Sequence, residues 1–150
     1  MVDQKESIPP ILRPDNVVAV SLRAIAERFD LEWASDESDT ELTGISMNTA
    51  DLRRGDLFVA MPGLKTHGAN FIQKAKDAGA VAVVTDSEGA KLAQGMGLPT
   101  LLLEHPRAHL GELAAFVYGN LPGTMPKLFA TTGTNGKTST SYLLEAMLRQ

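Results

Sequence analysis

In the stretch SLRAIAERF, apolar side chains recur at three- and four-residue spacing, so that Leu22, Ile25, Ala26 and Phe29 share one face. That period predicts a short amphipathic helix capped by Ser21. Two later runs, DLFVAM (56–61) and AVAVVT (80–85), are continuously apolar, as strands buried on both faces are, and the first is entered through a Gly55–Asp56 turn. Between them ANFIQKAKDAG places Phe71, Ile72, Ala75 and Ala78 on one helical face, with Gly79 where a C-cap belongs. Strand, helix, strand is a parallel crossover unit. A helical EGAKLAQGM and a strand PTLLLE (99–104) repeat it, which predicts alternating α/β architecture.

The chain punctuates itself around this body. The acidic DLEWASDESDTELTG reads as a solvated loop, and residues 1–19 as a flexible lead-in whose prolines discourage regular structure. HPRAHLGELAAFVYG sets Leu110, Leu113, Ala114, Val117 and Tyr118 on one stripe and stops at Gly119. NLPGTMP then marks a boundary. Beyond it KLFATT reads as a new strand and KTSTSYLLEAMLRQ as a helix. The expected units are thus 1–19, an α/β domain over 20–104, a helix and linker over 105–123, and the beginning of a second domain over 124–150.

Composition narrows the function. With 43% hydrophobic and 21% charged residues the chain is ordinary globular material, and its net charge of −4 offers no electrostatic basis for a nucleic-acid or anionic-membrane partner. The absence of cysteine removes disulfides, thiolate metal sites and cysteine nucleophiles together. The start lacks the basic and apolar segments of a signal peptide, and no window reaches the about 18 apolar residues of a spanning helix. The expectation is a soluble, cytoplasmic protein.

Chemistry concentrates in ATTGTNGKTST, residues 130–140. A strand feeding a glycine turn that opens a helix presents unpaired N–H groups at the positive helix end, an anion site. Gly133 and Gly136 permit the turn, Lys137 can reach terminal phosphates, and the Thr138 hydroxyl is placed for a Mg²⁺ that bridges them. The strict G-x-x-x-x-G-K-[ST] pattern would require glycine where Thr131 stands. An incidental Lys-Thr after a glycine turn is the bland alternative.

The form TGTNGKT resembles the loop of the Mur ligase family, ATP-dependent amide ligases of peptidoglycan precursor synthesis, in which a threonine-containing loop replaces the strict pattern. Ala130 stands where the family often has glycine. The stretch GDLFVAMPGLKTHGANFIQKAKDAGAVAVVTD (55–86) is similar to the N-terminal uridine-nucleotide domain of the MurE and MurF branches, which add the third and last amino-acid units. The Tyr-Gly ending of AAFVYG and TGT rather than TGS favour the MurE type. Where many members carry Asp-Ser-Arg, this chain has Asn48, Thr49 and Ala50, keeping a hydroxyl and an amide but losing the guanidinium.

The resemblance implies a Rossmann-like UDP-binding domain followed by the truncated start of a P-loop ATPase domain. It implies ATP contacts at Thr132, Gly133, Thr134, Asn135, Gly136, Lys137, Thr138 and Ser139, with Lys137 stabilising the transferred phosphoryl and Thr138 as a Mg²⁺ ligand. It implies UDP-substrate contacts at Met47, Asn48, Thr49, Lys65, Thr66 and His67. From the residues alone, Gly63 and Gly68 bracket a connection at the C-terminal end of a parallel strand, where open α/β sheets bind ligands. Lys65 is either a diphosphate partner or a solvated loop lysine, and His67 either a ligand contact or a loop cap. Asn135 either faces substrate or simply tolerates a turn.

By the same resemblance the complete enzyme adds diaminopimelate or lysine to UDP-MurNAc-L-Ala-D-Glu through an acyl phosphate, as a monomer, with the UDP-MurNAc-dipeptide and an amino acid as its partners. The alternatives are a MurF-type ligase or MurE-like paralogue, and a non-catalytic P-loop module. The apolar face of the last helix, Tyr142, Leu143, Leu144, Met147 and Leu148, needs the rest of a sheet to cover it. The chain therefore reads as a fragment that is inactive alone. His105 and His109 lack an acidic third ligand, the methionines are scattered, and Trp33 and Tyr118 read as packing residues.

Overall fold

In the computed structural model, residues 13–14, 17–35, 37–124 and 129–149 are described. The apolar run at its centre forms β5 (Asp56–Ala60), buried throughout. Leu57 and Val59 join one hydrophobic cluster and Phe58 and Ala60 the other, so the two-residue period of the strand gives it a core on each face. Its parallel neighbours are β4 (Gly44–Ser46) and β6 (Ala82–Thr85), and β7 (Thr100–Leu102) lies parallel to β6. The short β2 (Glu32–Trp33) closes the edge antiparallel to β7, giving the order β2-β7-β6-β5-β4. The architecture is mixed α/β on a largely parallel sheet, as the alternating pattern predicts.

Helices cover both faces. On one side lie α2 (Ile72–Asp77), preceded by a 3₁₀ turn over Gly68–Phe71, and α3 (Ser87–Ala93), with Ile72, Ala75 and Ala93 packed near Phe58 and Val83. On the other lie α1 (Leu22–Phe29) and α4 (Pro106–Val117), which bury Leu22, Ile25, Leu113 and Val117 against Leu57, Val84 and Leu101. Phe29 of α1 meets Phe116 of α4 edge to face, with centroids 5.9 Å apart. Ser21 caps α1 as its sequence predicts, its hydroxyl accepting from the Ala24 amide at 3.1 Å. Pro106 occupies the first turn of α4, where its missing N–H is no loss. Trp33 and Tyr118 pack against the core, as expected of isolated aromatics.

Four expectations need correction. The acidic segment is not only loop: it holds β2 and β3 (Glu41–Leu42), and β3 pairs with β1 (Val20–Ser21) and fully buries Leu42. Phe71 leaves the face it was expected to share with Ile72, because the 3₁₀ turn shifts the phase, and it stands 43% exposed. The lead-in is anchored at Arg13, whose guanidinium donates to both Asp56 carboxylate oxygens at 2.8 and 2.7 Å and to the Asp51 carbonyl. The strand expected over KLFATT is absent from its described part, 129–132, where no described strand lies alongside to pair with it; Lys127 and Leu128 lie outside the described residues.

The final helix, α5 (Lys137–Leu148), has no buried residue, and Tyr142, Leu143, Met147 and Leu148 are each at least 67% exposed. Among the described residues no helix is long and apolar enough to cross a membrane.

Candidate functional site

The connection leaving β5 is folded back on itself. Gly63 N–H donates to the Thr66 carbonyl, Gly68 N–H donates to the Met61 carbonyl, and Pro62 and His67 face each other as an isolated bridge. A Cβ at Gly68 would lie 2.8 Å from the Met61 nitrogen, so glycine here answers to crowding by the backbone that leaves β5.

His67 locks this loop from beneath. Its Nδ1 accepts from the Ala69 amide, capping the 3₁₀ turn, which leaves Nε2 to carry the proton and donate to Asp86 Oδ1 at 3.0 Å. Asp86 in turn caps α3 by accepting from Gly89 N–H at 2.8 Å. The His67 side chain is only 7% exposed. His67 thus makes the cap that one of its two readings expects.

Above the loop, at the C-terminal ends of β4 and β5, lies a cleft of about 360 Å³. One wall is Met47, Asn48 and Thr49, and the facing wall is Met61, Pro62, Gly63 and Thr66. Four of the six residues expected at a UDP site thus meet in one cavity. The other two do not line it: Lys65 is exposed at the loop tip and His67 lies below. Asn48 is held by its own turn, Oδ1 accepting from Ala50 N–H and Nδ2 donating to Asp51 Oδ2 at 2.7 Å, which fixes the wall carrying Thr49.

Three lining residues escape sequence reasoning: Phe71 and Lys74 from the α2 side, and Arg107 from the first turn of α4. Arg107 crosses to the loop, donating from Nη2 to the Pro62 carbonyl at 3.4 Å. The only available signal was negative, an arginine and a lysine outside any apolar stripe. A cleft of about 480 Å³ at the other end of β7 is lined by small and neutral side chains, including Ala34, Ala90, Gly97 and Pro99, and carries no charge to direct a ligand.

The glycine loop of residues 132–138 stands apart. Gly136 (φ 82°) opens α5 with no side-chain cap, so the first-turn amides of α5 are left facing outward. Gly133 also takes a positive φ, 145°. The Lys137 ammonium folds back to the Gly133 carbonyl and closes a ring of backbone around itself. Thr138 and Ser139 follow in the first turn, and Thr132, Thr134 and Asn135 are exposed in the approach to it. His109 pairs with Glu112 rather than with His105, and among the described residues no group of three or more metal-binding side chains forms.

Comparison with known proteins bears on both sites. Residues 41–118 match the profile described as Mur ligase family, catalytic domain. The UDP-N-acetylmuramoyl-L-alanyl-D-glutamate–2,6-diaminopimelate ligase of Streptomyces avermitilis is 45% identical over 94% of this chain and 27% of its own length. The UDP-N-acetylmuramyl-tripeptide synthetase of Leifsonia xyli is 43% identical over 95% of this chain and, again, 27% of its own. The chain therefore spans about a quarter of the length of the curated relatives it matches. A crystal structure of MurF from Acinetobacter baumannii superposes with a TM-score of 0.63 over 89% of this chain and 28% of the other, at 22% identity, which speaks to the fold alone.

Proposed function

Because the chain belongs to the Mur ligase family, we propose that its parallel-sheet body is the UDP-substrate domain of a MurE-type ligase. Such a ligase adds diaminopimelate or lysine to UDP-MurNAc-L-Ala-D-Glu. The relatives' names supply the reaction, and the observation that carries the reading is the cleft, where Met47, Asn48, Thr49 and Thr66 converge at the C-terminal ends of parallel strands. Thr49 offers its hydroxyl to the UDP end of the substrate. His67 and Asn48 act indirectly, by holding the two walls in place.

The second element of the proposal is a phosphate site at residues 132–139 that opens a P-loop ATPase domain. What supports a nucleotide there is the uncapped first turn of α5, the two positive-φ glycines and the Lys137 ammonium, which lie within one short turn. ATP bound there would supply the phosphoryl group that activates a substrate carboxylate for attack by an amine. Lys137 would hold the terminal phosphates as a point charge, and Thr138 would offer its hydroxyl to a Mg²⁺ that offsets their negative charge. In this reading the cleft and the loop are separate stations, one for substrate and one for ATP.

Calorimetric titration with UDP-MurNAc-L-Ala-D-Glu, beside ATP and a Thr49→Val variant, tests the assignment. Binding that Thr49→Val weakens several-fold, by about the 1 kcal/mol of one hydrogen bond, is the expected result. ATP binding with no response to the UDP ligand would instead make the chain a generic nucleotide module.

A further inference from the structure

The chain carries net charge −4, yet the cleft at the ends of β4 and β5 is lined by two cations, Lys74 and Arg107, and by no carboxylate. Ion pairs between Lys or Arg and a carboxylate form elsewhere at Arg13 with Asp56, Arg23 with Glu37 and Arg149 with Glu145. Among the described residues neither Lys74 nor Arg107 forms an ion pair, and the Pro62 carbonyl is the one acceptor that Arg107 meets, at a stretched 3.4 Å.

Arg107 is also badly placed for the fold. It sits in the first turn of α4, where the helix dipole opposes a cation, and no acidic residue in that turn offsets it. Its guanidinium contributes nothing to the core, being exposed, and its stem crosses to the loop that forms the opposite wall. Two cations that line one cavity with no carboxylate among its walls give an anion there a place to bind. The two cations that line the cleft itself come from α2 and α4.

We infer that Arg107 and Lys74 hold the diphosphate of the nucleotide-sugar substrate, Arg107 through paired N–H donors and Lys74 as a point charge. The inference rests on the cleft being the UDP end of the site. The two residues position substrate; they take no part in bond making. The cleft thereby reads the diphosphate from two helices on opposite faces of the sheet, which couples α2 and α4 through the ligand.

The test is titration of the full chain with UDP at two salt concentrations. Wild type, Arg107→Gln, Lys74→Gln, Arg107→Lys and, as a control at the other end of β5, Arg53→Gln are compared. Arg107→Gln should weaken UDP binding about tenfold or more and Lys74→Gln a few-fold. Both should flatten the salt dependence. Arg107→Lys should keep the wild-type salt dependence, and Arg53→Gln should change nothing. Unaltered thermal midpoints, expected for exposed side chains, exclude unfolding as the cause. If wild type binds UDP and both Gln variants match it in affinity and salt dependence, the inference is overturned while the cleft assignment stands. A wild-type chain that does not bind UDP overturns the cleft assignment, and this inference with it.

Discussion

The molecule contains two glycine loops that each lead from an extended segment into a helix, and they are held in opposite ways. In the loop after β5, glycine is demanded by crowding: Gly68 has the Met61 backbone nitrogen within 2.8 Å of any added Cβ, and a part-buried His67–Asp86 pair clamps the turn. In the loop before α5, glycine is demanded by handedness: Gly136 sits at φ 82° with nothing within 4 Å of an added Cβ, and no residue of α5 is buried. The first loop is a feature of a packed body, whereas the second is specified by its own residues alone. A site's chemistry and its scaffold are therefore encoded separately.

The comparison is broken most forcefully by removing the packing that distinguishes the two regions. Phe58→Ala, at a fully buried position between α2 and the sheet, should cost about 3–5 kcal/mol in urea unfolding. Leu143→Ala, 67% exposed on α5, should fall within about 0.5 kcal/mol of wild type. Comparable losses from the two would show that α5 shares the core. Next comes Asp56→Ala, which strands the Arg13 guanidinium, only 8% exposed, without its carboxylate. A loss of about 3 kcal/mol is expected, and an unchanged midpoint would mean that the anchor at Arg13 is dispensable.

Smaller effects sharpen the contrast between the loops themselves. Gly68→Ala should lower stability by about 1–3 kcal/mol through overpacking, while Gly136→Ala, with open space around it, should leave the global unfolding midpoint in place and disturb only α5. His67→Ala should cost about 1–2 kcal/mol for its lost cap and its bond to Asp86. It should also weaken binding of the UDP substrate while leaving ATP binding untouched, which a titration with each ligand reads directly.

What the sequence made legible follows from how local each signal is. The Ser21 cap and the apolar runs of β5 and β6 are each decided within a few residues, and each stands where expected. β4 was not legible. Its three residues carry one large apolar side chain, and Gly44 is required only because Asp56 Oδ1 would lie 2.3 Å from its Cβ, a contact made across twelve positions of chain. The same holds at the cleft. Thr49 and Thr66 were named through the family resemblance, but Arg107 and Lys74 reach the cleft only because α4 and α2 end up on opposite faces of one sheet. The capping role of His67 was open in the sequence because its partner Asp86 lies nineteen positions away.

Hydrogen exchange with and without UDP-MurNAc-L-Ala-D-Glu asks whether the proposed substrate and ATP sites are separate. Slowed exchange is expected in residues 46–51 and 61–68 on adding the UDP ligand, with the amides of 133–140 unchanged until ATP is added. Protection by the UDP ligand at 133–140, with none at 46–51 and 61–68, would contradict it.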